Sequence, residues 1–257
     1  MKSIAFHLQK GGVGKTTLSV SIAYALSNDR KTILVDADPQ GNSSAWLADG
    51  LDVNHELADV LYGRVKVTEA IVTAGTLDIL PTFGVDGELK LFGENQLSRE
   101  PFIFADLVDA LSSAGYEIVV FDLSPGMSQL ERSVLLAVNE IVVPMMPDVF
   151  SLDGLETFAS EVQKIEKGFR RPVKYSRIVV NGLNRSIGQH LEIHEAATKT
   201  TFETFTVGQD PVFRKAQALH IPAQLVNGSD RMKSETHEEI VRLATAIMEG
   251  IDAFTER

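Results

Sequence analysis

Near the start of the chain, Gln9-Lys10-Gly11-Gly12-Val13-Gly14-Lys15-Thr16-Thr17 joins an apolar run to a helical pattern. The run Ser3-Ile4-Ala5-Phe6-His7-Leu8 reads as a short buried strand, and Leu18, Ile22, Ala25 and Leu26 recur at helical spacing after Lys15. A glycine loop from a strand end to a helix start is the setting a phosphate loop requires. Without Cβ atoms, Gly11, Gly12 and Gly14 let the chain turn tightly and aim successive N–H groups inward. The helix start adds unpaired N–H groups and partial positive charge. Lys15 is placed to reach β- and γ-phosphate oxygens, and the Thr16 hydroxyl to ligate Mg²⁺.

The next segments extend this into an α/β fold. Lys31-Thr32-Ile33-Leu34-Val35-Asp36 is a second apolar, β-branched run, leading into Ala37-Asp38-Pro39-Gln40-Gly41-Asn42. Strand, loop, helix and strand at this spacing form a βαβ unit and therefore a parallel sheet. Asp38 falls at a strand's carboxyl end beside the phosphate loop, where open α/β sheets bind ligands. Tyr116-Glu117-Ile118-Val119-Val120-Phe121-Asp122 is a strand buried on both faces, and its terminal carboxylate suits Mg²⁺, held through water. Further strands are expected at 77–82, 140–144 and 175–181. Short helices are expected within 43–75, followed by helices at 102–114 and 130–138. The helix from Ser151 should bury Leu152, Leu155, Phe158, Val162 and Ile165. The last helix should bury Ile240, Leu243, Ile247, Ile251 and Phe254. With no Gly-, Ser- or Pro-rich linker and no internal repeat, residues 1–257 read as a single domain: a mostly parallel twisted sheet with helices on both faces.

Composition narrows the chemistry. The chain has no cysteine, which rules out disulfides, thiolate-bound zinc and iron–sulfur clusters within it. The six histidines show no metal-binding spacing. No apolar run reaches membrane-spanning length, and the first strand begins so early that no secretory signal is expected. A net charge of −11 disfavours constitutive binding to polyanions, though it leaves room for a local basic patch.

The stretch Lys10-Gly-Gly-Val-Gly-Lys-Thr-Thr17 resembles the deviant Walker A motif of the ParA/MinD family of ATPases. Asp36-Ala-Asp-Pro-Gln-Gly-Asn42 resembles the family's switch I, and the strand ending in Asp122 its Walker B segment. The family most often continues the latter as Asp-Thr-Pro-Pro, where this chain has Asp122-Leu123-Ser124-Pro125-Gly126. The resemblance covers nearly the whole chain and is nearest to short ParA/Soj-type partition ATPases, without the extra N-terminal DNA-reading domain of some plasmid forms. It implies ATP and Mg²⁺ as cofactors, with Lys10, Lys15 and Asp38 catalytic. Lys10 would enter the partner's site in an ATP-sandwich homodimer, and Asp38 would orient the attacking water. The implied metal site is Thr16, Asp122 and Asp38. The implied nucleotide contacts are Lys10, Gly11, Gly12, Val13, Gly14, Lys15, Thr16 and Thr17, with Asn181, Val207, Gly208 and Asp210 around adenine. Asn181 at a strand end is also an ordinary turn former. The family's usual proline is replaced by Gly208.

The implied function is chromosome or plasmid partition. Mg-ATP would drive dimerisation and nonspecific DNA binding, and a ParB-like centromere-binding protein would stimulate hydrolysis and release. The implied location is cytoplasmic and nucleoid-associated. Lys164, Lys167, Arg170, Arg171, Lys174 and Arg177 form a basic cluster, with Arg185, Arg214 and Lys215 as candidate neighbours. It reads either as a solvated mixed-charge surface or as a phosphate-backbone patch. Two other readings stay open: a nucleotide-gated scaffold positioning a cargo, and a MinD-like membrane-cycling regulator. Against the latter, the other face of the last helix carries Glu238, Glu239, Arg242, Glu249 and Asp252, mostly acidic where a membrane anchor would carry Lys and Arg.

Overall fold

The computed structural model describes residues 1–255, with the side chains of Val149, Phe150, Leu152 and residues 250–255 outside the description. In chain order the elements are β1 (Lys2–Phe6), α1 (Lys15–Ser27), β2 (Thr32–Ala37), α2 (Asn42–Leu47), α3 (Leu57–Leu61), α4 (Val67–Ala70), β3 (Val72–Ala74) and β4 (Leu77–Leu80). They continue with α5 (Leu89–Asn95), α6 (Ile103–Ser113), β5 (Ile118–Leu123), α7 (Gln129–Ala137), β6 (Glu140–Met145) and α8 (Val149–Phe169). The remainder is β7 (Tyr175–Leu183), α9 (Gly188–Thr198), β8 (Glu203–Gly208), α10 (Val212–Ala218) and α11 (Ser234–Thr255).

The strands form one sheet in the order β3-β4-β2-β5-β1-β6-β7-β8. Every pairing is parallel except β3 with β4. Strands β2 to β5 lie on one side of β1 and β6 to β8 on the other, so the chain reverses its direction of growth at β1. Open α/β sheets form their ligand crevice beyond the carboxyl ends at such a point. The glycine loop leaves β1 at that place.

The sheet is covered on both faces because neighbouring strand residues point opposite ways. Ile4 and Phe6 of β1 join a core beneath α1, α10 and α11, while Ala5 joins a second core beneath α6, α7 and α8. Ile240, Leu243 and Ile247 are buried as expected, as are Phe158, Val162 and Ile165. Leu155 is half-buried against the second core; Leu152, Ile251 and Phe254 fall outside the described side chains.

The structure differs from the sequence expectation in several places. The helical reading of 43–75 stops at Ala70, because Val72–Ala74 pairs antiparallel with β4. Gly75, at φ +68°, supplies the left-handed turn of that hairpin. The closing edge strand β8 is a second difference: its alternating burial at Phe205 and Val207 is short and bounded by polar residues. Helices α5 and α9 were likewise not anticipated.

Candidate functional site

The loop between β1 and α1 is held from below. Val13 is fully buried, and its carbonyl accepts the Asn181 side-chain N–H at 2.9 Å. Asn181 packs so closely on the loop that a Cβ on Gly14, itself at φ +88°, would meet its Nδ2 at 2.0 Å. Asn181 therefore braces the phosphate loop, joining the end of β7 to the end of β1. Gly11 and Gly12 face open space on the other side, where a Cβ would meet nothing within 4 Å. That is the cradle surface a phosphate chain needs.

Lys15 is only 7% exposed. Its Nζ donates to the Lys10 carbonyl at 2.8 Å and the Leu8 carbonyl at 3.3 Å, so the cation sits within the loop. Burial lowers its pKa, partly offset by Asp122, Asp38 and Glu131. One turn along α1, Ser19 donates to Asp122 Oδ1 at 3.2 Å, and the Thr16 hydroxyl lies near the same carboxylate. Oδ2 of Asp122 is buried with no hydrogen-bond partner. An orphaned carboxylate oxygen beside a threonine hydroxyl at a phosphate loop fits a divalent cation with oxygen ligands. Among the described residues no cluster of three or more His, Cys, Asp or Glu could hold a metal, so the site requires phosphate or water to complete it.

Three aspartates surround this point. Asp36 and Asp122 stand side by side in register at the ends of β2 and β5. Both are fully buried, and burial pushes their pKa values up, Asp36 to about 6 with the Asp38 charge adding, and Asp122 to about 8 with the Asp36 and Asp38 charges adding. Asp36 is occupied by Ser44, accepting its N–H at 2.8 Å and its hydroxyl at 2.6 Å. Asp38 accepts from the Gln40 N–H at 2.9 Å and Asn42 Nδ2 at 3.2 Å, and its pKa is raised by burial. It lines a cavity of 470 Å³ with Gln40, Ser124 and Glu131, the space between the segments after β2 and β5.

Lys10 takes a position that sequence does not disclose. Its Nζ donates to both carboxylate oxygens of Asp148, at 2.6 and 2.8 Å, and to Ser151 Oγ at 3.0 Å. Asp148 is the N-cap of α8, so within one chain Lys10 is bound in cis at the rim of the loop.

The remaining expected contacts are distributed unevenly. Thr17 is half-buried on α1. The Val207 side chain belongs to the core, leaving only its backbone at the strand end. Gly208 donates its N–H to Glu239 at 2.7 Å, a bond a proline there would forbid. Both Asp210 oxygens accept backbone N–H groups, from Val212 and Lys233 at 3.0 Å each. A cavity of 520 Å³ opens beyond β7 and β8, lined by Gly208, Asp210, Pro211, Arg185 and Arg214 among others.

The basic cluster divides. Arg177 is only 12% exposed in its side chain and is bound to buried Glu140 at 2.6 Å, so it belongs to the fold. Arg185 and Arg214 do not adjoin residues 164–174, as had been considered. They line the cavity beyond the end of β7, whereas α8 ends near its beginning, and the nine residues of β7 span roughly 30 Å. Lys215 pairs instead with Asp230.

Ser19, Asp36, Ser44, Glu131, Asp148 and Ser151 were missed as site residues by sequence reasoning. Only Ser19 and Asp36 carried a local signal, four residues after Lys15 and two before Asp38.

A sequence profile of a family described as AAA domain matches residues 1–175. A Borreliella burgdorferi protein printed as uncharacterized protein BBD21 is 36% identical over 84% of this chain and 89% of its own. The chromosome partitioning protein ParA of Caulobacter vibrioides is 28% identical over 76% of each chain. The chain belongs to the ParA/MinD family of P-loop ATPases. In architecture it is similar to a putative plasmid partition protein (BB_S35) of Borrelia burgdorferi bound to AMPPNP, with a TM-score of 0.77 at 20% identity, covering 97% of this chain and 98% of that one. Family membership makes nucleotide hydrolysis the general reaction, and the deviant loop with Lys10 is its signature here.

Proposed function

We propose that the chain is a partition ATPase that cycles between monomer and ATP-bound homodimer. The observation that carries this is the arrangement at the glycine loop. Lys15, Thr16 and Asp122 converge on one point with Asp38 across from them, and a second lysine, Lys10, stands at the rim bound to Asp148 and Ser151. Mg²⁺ would sit on Thr16 and the free oxygen of Asp122, Asp38 contributing through water, and would neutralise charge on the β- and γ-phosphates. The Gly11–Thr17 amides and Lys15 hold the phosphates, and Asp38 orients water toward the γ-phosphorus, releasing ADP and phosphate. Asn181, with the 207–210 segment, borders the base.

Lys10 has little to do for its own chain's phosphates while it is bound to Asp148. Its length and rim position support transfer to a partner's phosphates in a sandwich dimer. In this reading the dimer binds duplex DNA without sequence preference, a ParB-like protein stimulates hydrolysis, and the protein works in the cytoplasm on the nucleoid. No helix among the described residues is long and apolar enough to cross a membrane.

Lys164, Lys167, Arg170 and Arg171 at the end of α8 are the proposed phosphate-backbone face. The test is DNA binding with and without Mg-ATP over a salt series. ATP-dependent binding that falls steeply with salt is expected, and Arg170→Glu with Arg171→Glu should weaken it while ATP turnover persists. If Arg185→Glu with Arg214→Glu weakens it instead, the DNA face lies beyond β7 and β8. No binding at low salt contradicts partition and favours a scaffold for another cargo.

A further inference from the structure

Glu131 is a buried carboxylate that the phosphate site does not account for. It is 2% exposed, on the first turn of α7. Its Oε2 accepts the Ser128 N–H at 2.6 Å, the ordinary work of a helix capping box, and the Ser128 hydroxyl also at 2.6 Å. The other oxygen does something different. Oε1 accepts the Ser124 hydroxyl at 2.5 Å, and Ser124 Oγ in turn accepts the Gly126 N–H at 3.1 Å. One carboxylate thus closes a ring over residues 124–128, the segment that follows Asp122.

That segment is where the chain departs from its family. Aligned on Asp122, the chain keeps Pro125 but has Ser124 where the common pattern has the first of two consecutive prolines. Proline fixes backbone φ and serine does not, so this backbone is intrinsically looser. The Glu131 ring supplies a tether in place of the lost stiffness. The tethered loop forms one wall of the 470 Å³ cavity whose opposite wall includes Asp38.

We propose that Glu131 is a positioning residue for nucleotide hydrolysis, acting through the Ser124 hydroxyl to hold the loop 124–126 opposite Asp38. This rests on the ATPase reading above. The ring touches no phosphate-holding residue of the glycine loop, so its loss should act on turnover and leave nucleotide binding alone. Small displacements of a wall around a reacting centre are costly in rate.

The experiment is basal Mg-ATP turnover of the full chain and its variants, with KM and thermal midpoint measured beside kcat. Ser124→Ala removes one hydroxyl and should lower kcat about tenfold with KM within about twofold. Ser124→Thr retains the hydroxyl and should restore the rate. Glu131→Gln keeps the capping box but replaces a charge-assisted bond with a neutral one, so a smaller loss is expected. Combining it with Ser124→Ala should be no worse than Ser124→Ala alone, since the two act as one unit. A parent-like kcat in Ser124→Ala, an unrestored rate in Ser124→Thr, or losses that multiply in the double variant would each overturn the proposal. Absence of turnover in the parent chain itself would instead overturn the ATPase reading and this inference with it.

Discussion

At the scale of single residues, the two lysines of the loop are separated by their partners. Lys15 is buried and bonded to loop carbonyls, so any phosphate in the cradle meets a cation already desolvated. Lys15→Ala should abolish ATP binding, measured with a fluorescent nucleotide analogue; parent-like affinity would remove the phosphate-loop assignment. Lys10 is 27% exposed and held by Asp148. If it must leave Asp148 to serve a partner, weakening that contact should favour assembly. Asp148→Asn is the clean probe, because asparagine caps a helix as well as aspartate does while losing the charge. Its dimer should form at lower ATP concentration than the parent's. A dimer that needs the same or more ATP would mean that the Lys10–Asp148 pair does not oppose assembly.

At the scale of elements, the parallel register of β2 and β5 forces Asp36 and Asp122 together in the interior. Their raised pKa values set the pH dependence of stability. A carboxyl whose folded pKa lies above its unfolded value near 3.8 favours the fold below that value, and the contribution is lost as pH rises through the folded pKa. For Asp122 that loss extends to about 8, for Asp36 to about 6. His7 acts oppositely: buried without a hydrogen-bond partner, it is held down to about 3, so it disfavours the fold as pH falls below its ordinary 6.5. Above pH 6.5 His7 is neutral in both states, and Asp122 dominates. The thermal midpoint of the nucleotide-free protein should therefore fall between pH 6.5 and 8, and Asp122→Asn should flatten that slope. A slope that survives Asp122→Asn would place its cause elsewhere.

The same elements explain what could be read beforehand. The loop, α1 and the strands ending in Asp38 and Asp122 were legible because their chemistry is local: glycines, an apolar run and a terminal carboxylate within a few positions. The partners of that chemistry were not. Asp148 lies 138 positions from Lys10, and nothing in residues 124–131 states that Glu131 closes back on Ser124. Asn181 was legible as a strand-end residue near the nucleotide, but its grip on Val13 and Gly14 depends on β7 lying across β6 from β1.

At the scale of the whole molecule, the sheet holds the nucleotide crevice and the basic end of α8 apart. The nucleotide crevice lies beyond the carboxyl ends of the strands, while α8 carries Lys164, Lys167, Arg170 and Arg171 toward their amino ends. That separation was hidden in sequence, where Arg177 and Arg185 are near neighbours; only the length of β7 parts them. It also places the proposed DNA face away from the loop rim where a second chain would meet Lys10. The central claim is that Mg-ATP joins two chains through Lys10, and a cation supplied in trans to a phosphoryl group can be worth ~10³ or more in rate. Mass in solution by light scattering, with Mg-ATP and turnover followed in parallel, tests it most directly. The parent and Asp38→Ala should move from the 28.1 kDa chain mass to twice that value, Asp38→Ala accumulating there because it hydrolyses slowly. Lys10→Ala should bind ATP, remain at the single-chain mass and hydrolyse little. A Lys10→Ala protein that dimerises and turns over like the parent, or a parent that never leaves the single-chain mass, would contradict the account.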